Sequence, residues 1–382
     1  MSKRLAAIAI LLLGALLFLY SRRAGAPRAP SEADLVNGPS ALGAGPPRPA
    51  PGAPSSAEQP AAERAPDALW EERLARAQRT LDTYLASTRY PPTSRPISEQ
   101  PDRVRPHFVS GETIRPRRRD DKLTDARVTL RQDRHYMVGD ERVALSLTCA
   151  NSNGPTPCEV LSTLVRGEGQ GAPGAGVTVP FRAGELGAES ASFQPSAQGF
   201  AGYSGPIRIF VDLRVDGEEG QVSFEVMYTA AAPAIFTGAI REALADGSLD
   251  LHVEIEVEKP GRYVIEARVD DAEGRSFAYL SFNEVLGRGR QEARLRLFGK
   301  LVIDQEASSP FRLRDIEGFL LKEDTYPDRE LMPALEGVVH TTKRYAGRDF
   351  ADRVWESEEK DRHVEEFKKD VETAKRHVGG GE

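Results

Sequence analysis

Apolar and polar positions alternate in two very different rhythms along this chain. In the middle they alternate every second residue. ARVTLRQ, ERVALSLTC, EVLSTLVR, GVTVPFR, PIRIFVDLRV and QVSFEVMYT all follow that rhythm between residues 124 and 230. Glycine, proline or acidic turns separate them, as strands in an antiparallel sheet require. LDLHVEIEVE, RYVIEARVD, RSFAYLSF, RQEARLRLFGKLVID and FRLRDIEGFLLKE repeat the pattern from residue 231 to 345. Leu251, Val253, Ile255 and Val257 share one face, and Lys259-Pro260-Gly261 is a strong turn signal before the next strand. A last extended segment is expected within 335–350.

Two flanking stretches keep helical time instead. After Pro66-Asp67, residues Trp70, Leu74, Ala77, Leu81 and Tyr84 recur at spacings of four and three. Near the end Val364, Phe367, Val371, Ala374 and Val378 do the same behind an N-capping Ser357. Each stripe predicts an amphipathic helix, and the two are expected to pair beside the β domains. Packing by Trp70, Leu74, Leu81 and Tyr84 against Val364, Phe367 and Val371 would bring the chain's two ends together. Self-association of the first stripe is the alternative.

The fold class expected is therefore mainly β: two tandem β-sandwich domains with an N-terminal transmembrane helix and flanking amphipathic helices. YMVGDERVALSLTC, with its Gly-Asp turn before Val143, Leu145 and Leu147, resembles the opening strands of immunoglobulin-like domains. The second set, including EKPGRYVIEARV and PFRLRDIEGFLL, is similar to β-sandwich modules of bacterial envelope and secreted proteins. The resemblance implies a fold and not an activity.

The expected organisation is a signal anchor at 1–23, a Pro/Ala-rich disordered spacer at 24–66 and a helix with a Pro-rich connector at 67–123. The first sandwich follows at 124–230, the second at 231–345, and the terminal helix and tail at 346–382. The anchor rests on sixteen uncharged residues between MSKR and SRR. Its apolar weight comes from Leu5, Leu11, Leu12, Leu13, Leu16, Leu17, Phe18 and Leu19. Sixteen residues rise about 24 Å as a helix, a little short of a ~30 Å hydrocarbon core, a gap that snorkelling and thinning can close. A cleaved leader and secretion is the alternative; Ala24-Gly25-Ala26 is a poor cleavage context, since it follows two arginines and precedes Pro27. The connector RYPPTSRPISEQPDRVRP has spread prolines, and Tyr90, Ile97, Val104 and, just beyond it, Phe108 can anchor it. It reads as an extended strap over the protein's own β domain.

Charge sharpens the division. Residues 1–123 hold 19 Lys/Arg against 13 Asp/Glu, and the rest holds 32 against 45. A basic stalk thus precedes an acidic body, which argues against nucleic acid as a partner. The two cysteines, Cys149 and Cys158, are separated by the turn-forming ANSNGPTP, so a disulfide and an oxidising compartment are expected. Two free buried thiols are the alternative. The bulk of the chain is accordingly placed in the periplasm, behind a single pass through the inner membrane.

Chemistry is sparse. GQGAPG at 169–174 fits a dinucleotide fingerprint in letters only, because Pro173 and an extended segment follow where a helix should begin. The six histidines show no ligand-like spacing. Asp270, Asp271 and Glu273 offer oxygen ligands for calcium, or are an ordinary acidic turn. No cofactor, metal site or catalytic set is expected. The expectation is a binding or scaffolding protein that meets an envelope protein partner, of unknown oligomeric state. An envelope hydrolase, or a carbohydrate-binding accessory with a site in a sandwich cleft, is the alternative.

Overall fold

The computed structural model describes residues 66–106, 111–118, 122–168, 172, 176–184 and 187–379. The expected anchor at 1–23, nearly all of the spacer, and the GQGAPG loop apart from Ala172 lie outside these residues. Among the described residues no helix is long and apolar enough to cross a membrane. The fold is mainly β, and the described strands form four sheets.

Helix α1 spans Pro66–Ser87 and leads into a short strand, β1, at Ser94–Pro96. The next strands are β2 Glu112–Ile114, β3 Arg127–Gln132, β4 Tyr136–Val138, β5 Val143–Asn151 and β6 Gly154–Thr156. β7 Glu159–Gly167, β8 Arg182–Ala183, β9 Glu189–Phe193, β10 Gly205–Val215 and β11 Glu218–Thr229 complete the first β unit. One sheet runs β4-β11-β10-β7 and the other β2-β3-β5-β9-β8, with β6 on β5. Alternation does the work here: Val143, Leu145 and Leu147 of β5 face Ile207, Ile209, Val211 and Leu213 of β10 in one buried core.

The second unit contains β12 Ala234–Ala245, β13 Ser248–Val257, β14 Gly261–Asp270, β15 Ser276–Leu286 and β16 Gly289–Leu297. A short helix, α2, at Gly299–Asp304 precedes β17 Arg312–Leu321, β18 Arg329–Leu331 and β19 Leu335–Thr341. Its sheets are β12-β13-β16 and β1-β15-β14-β17-β18, with β19 also on β17. Leu251, Val253, Ile255 and Val257 are buried between them, as their shared parity predicts.

The Lys259-Pro260-Gly261 turn carries the chain from one sheet to the other. A local turn signal reports a reversal and not which partner each strand takes. Two local expectations need correction. GKLVID does not extend β16 but forms α2, whose Leu301 and Val302 fill the core from one end. GVTVPFR is not a regular strand: it touches β7 at the single bridge Val165–Val177 and then leaves. Pro180 has no N–H to give a ladder, and Thr163 supplies a side chain in its stead.

The strap lies on the second unit, across the first in sequence. β1 pairs antiparallel with Ala278–Leu280 of β15. Tyr90 and Ile97 are buried beside it. Farther along, the fully buried Arg268 donates to the Arg103 carbonyl at 2.7 Å and to Glu317 at 2.7 Å, while Arg314 donates to the Val104 carbonyl at 2.9 Å. The terminal helix α3, Glu358–Gly379, returns to α1. Trp70 stacks on His377 with ring centroids 3.9 Å apart, and Tyr84 meets Phe367 edge-on at 5.2 Å, so the helices run antiparallel.

Candidate functional site

The outer edge of β7 is one of the sheet edges that the described strands leave partly open. On its inner side β7 pairs with β10 from Gly167 to Glu159. On its outer side the N–H of Val165 donates to the Val177 carbonyl at 2.9 Å. Backbone direction alternates along a strand, so Thr163 also turns its main chain outward. The Thr163 hydroxyl donates to the Val179 carbonyl at 3.0 Å and accepts from the Val179 N–H at 2.9 Å. Beyond that point the two banks part. The 179–183 segment crosses to the opposite sheet, where Arg182 and Ala183 pair with β9.

The parting opens a cleft of about 460 Å3 between Cys158–Thr163 on one bank and Val179–Phe181 on the other. Its walls are apolar at Val160, Phe181 and Leu161, the last 38% exposed. The disulfide Cys149–Cys158 closes one end. It joins β5 of one sheet to the residue before β7 in the other, and so fixes the spacing of the two sheets at this mouth. The expectation of a disulfide between these cysteines agrees with this bond.

Glu189 is the unusual group in the cleft. It shares the inward parity of Ala191 and Phe193 on β9, so its carboxylate points toward the gap between sheets. Burial pushes its carboxyl above the usual range, and no described residue supplies a cation or hydrogen-bond donor to its side chain. Glu159, at the other end, is held by Arg214 at 2.8 Å. The cleft therefore combines the open end of a strand edge, an apolar wall and one partly buried acid. That set accommodates an extended peptide carrying apolar and basic residues.

The other sequence-derived residues serve elsewhere. Trp70, Leu74, Leu81, Tyr84, Val364, Phe367 and Val371 lie on α1 and α3, where Leu81 and Val371 are buried. Asp270 is engaged by Arg314 and Ser276, and Asp271 by Arg275, which leaves neither poised for calcium. Among the described residues no cluster of three or more His, Cys, Asp or Glu side chains could hold a metal ion.

No family model and no curated protein matches this chain. Among solved structures, a DUF4785 family protein from Legionella pneumophila overlaps it with a TM-score of 0.40 at 11% identity, over 59% of this chain and 57% of that one. The adhesin InvE of Yersinia pseudotuberculosis overlaps with a TM-score of 0.19 at 13% identity, over 55% and 58%. This chain thus spans under two thirds of either neighbour. Both overlaps are loose, and neither assigns an activity.

Glu189 and the β7 edge escaped sequence reasoning. The only available signal was parity, an acid at the inward phase of ESASF, and that phase is unknown until the strand's partner is known.

Proposed function

We propose that this chain is a non-enzymatic binding or scaffolding protein of the bacterial envelope. In this reading residues 5–20 anchor it in the inner membrane, and two tandem immunoglobulin-like sandwiches face a protein partner in the periplasm. The partner lays an extended segment along β7 and brings a basic side chain to Glu189. The observation that carries this reading is the open end of the β7 edge beside Glu189, a partly buried carboxylate that is unpaired among the described residues. An unpaired edge offers main-chain hydrogen bonds to any extended segment, and side-chain pockets supply selectivity. The disulfide supports an oxidising compartment.

Selection of displayed random peptides on the full-length protein tests the binding reading. Enriched peptides should alternate apolar residues around an Arg or Lys. They should slow amide exchange within residues 159–165 and lose affinity for the Glu189→Gln and Leu161→Lys variants. Peptides that protect another surface, or that ignore both substitutions, would remove the β7 edge from consideration. Intact mass of the mature chain, extracted with detergent, tests the anchor: loss of residues 1–26 would mean secretion instead.

A further inference from the structure

The outer face of the β3-β5-β9-β8 sheet carries a second surface, separate from the cleft. Strand register sets Arg131 opposite Ser146, Ser146 opposite Ser190, and Ser190 opposite Arg182. The result is a straight cross-strand row, Arg–Ser–Ser–Arg. Three strand spacings of about 4.8 Å put the two arginine backbones roughly 14 Å apart. Neighbouring rows continue the hydroxyl floor with Thr129 opposite Thr148 and with Ser192 beside Ala144. A broad, open depression of about 780 Å3 lies over the row.

The arginines of this face differ from those on the same sandwich's other sheet. There Arg208 sits 3.0 Å from both Glu168 and Glu225, and Arg214 sits 2.8 Å from both Glu159 and Glu219. Arg131 and Arg182 have no carboxylate within ion-pair range among the described residues. Asp133, at the rim, is occupied: it accepts the Ala144 N–H at 2.8 Å and lies 4.0 Å from Arg134. On an otherwise acidic body, this face is left positive.

We infer that this face binds an acidic polysaccharide, with Arg131 and Arg182 each gripping a uronate carboxylate and the serine floor meeting sugar hydroxyls. Guanidinium forks match carboxylates in a bidentate way, and strands hold the two forks at a fixed separation. Hydroxyl side chains donate and accept, as sugar hydroxyls do. The depression contains no aromatic ring on which nucleobases could stack. Its one large apolar lining residue, Leu145, is buried in the core and is not presented for insertion into a lipid surface. The occupant is thus a polymer rich in both carboxylate and hydroxyl groups. This assignment uses none of the groups on which the strand-binding proposal depends.

The test is affinity of the detergent-solubilised full-length protein for an oligogalacturonate of defined length. Its methyl ester keeps every hydroxyl and removes the charge. The oligouronate should bind and the ester should not. Arg131→Gln and Arg182→Gln, both at exposed positions, should each weaken binding about tenfold, and the double variant about a hundredfold. Circular dichroism identical to the parent's would show that the variants fold. Equal affinity for the ester, or full affinity in the folded double variant, would overturn the assignment. So would tighter binding of single-stranded DNA or phosphatidylglycerol vesicles that the double variant abolishes.

Discussion

Asp304 joins the strap to the body, and its replacement by asparagine should loosen that joint in a pH-dependent way. Its carboxylate accepts from Arg89 Nε at 2.6 Å and Nη2 at 2.7 Å, from the Tyr90 hydroxyl at 2.8 Å, and from Lys300 Nζ at 3.4 Å. The Arg89 fork, more than the others, holds its pKa down at about 2, against 3.8 for a free aspartate. A shift of that size corresponds to ~2.5 kcal/mol. Arg89 is 45% exposed, so solvent screening reduces the expected contribution to about 1–2 kcal/mol. A depressed carboxyl pKa stabilises fully above its unfolded value and loses that contribution as pH falls through the folded one. Asp304→Asn should therefore cost about 1–2 kcal/mol at pH 7, and the gap from the parent should close between about pH 4 and 2. Burial and the Asp304 contact push the Tyr90 hydroxyl up to about 12. A raised phenol pKa stabilises below about pH 10 and stops doing so as pH climbs to about 12. The chain's two tryptophans report the event directly. Trp70 lies on α1, and the Trp355 N–H donates to the Arg89 carbonyl at 3.0 Å. Urea unfolding followed by tryptophan emission should show the shift. An equal gap at pH 7 and pH 2.5, or no gap at all, would refute the reasoning.

Further outcomes follow from the same contacts. Opening the ten-residue Cys149–Cys158 loop by reduction should lower the stability of the first sandwich by about 2–3 kcal/mol, visible as an earlier urea midpoint by circular dichroism. Arg268→Met should destabilise the second sandwich by about 3–5 kcal/mol, because Glu317 and the Arg103 and Asp315 carbonyls lose their donor; pairing it with Glu317→Gln should recover part of the loss. Trp70→Ala should cost the helix pair about 1 kcal/mol of ring stacking, read as faster amide exchange in α3. Trypsin should cut after Arg103 only once the second sandwich opens, since β1 and its buried neighbours hold that stretch down.

Period was legible in this sequence, and strand partnership was not. Val143, Leu145 and Leu147 announced a half-buried strand, and Leu251 to Val257 another, because burial of one face imposes alternation on the residues themselves. The two cysteines were readable for a similar reason: the intervening turn formers keep them close whatever lies around them. Partner choice leaves no local trace. The KPG turn looks the same whether it closes a hairpin or switches sheets. GKLVID has the apolar content of a strand, and the chain departs from the sheet there only because the core behind Leu301 needs an end plug. Trp70 belonged to a visible apolar stripe, yet it meets His377, which lies off the matching stripe of α3. Arg131 and Arg182 stand 51 positions apart and become one row only through two intervening strands.

The most consequential non-local feature is the order of assembly it imposes. The strap docks on the second sandwich before the first has begun in sequence, so the first sandwich is an insertion between two parts of the second. Its far end is also tied down: the Leu331 N–H donates to Thr229 at 3.1 Å, and Arg134 lies 3.8 Å from Glu336. The Arg89–Asp304 contact spans 215 positions. In an unfolded chain, closing a loop of that length costs about 5 kcal/mol beyond a constant. One ion pair of about 1–2 kcal/mol cannot offset it. Burial of Tyr90 and Ile97, at about 1.5–3 kcal/mol for a large apolar side chain, can do so together with the β1 ladder and the carbonyl contacts of Arg268 and Arg314. Prior folding of the first sandwich lowers the cost as well, because it replaces most of a long flexible loop with a compact body. The strap is held by many modest contacts because its closure is entropically expensive. Loss of Asp304 alone should therefore loosen it without releasing it.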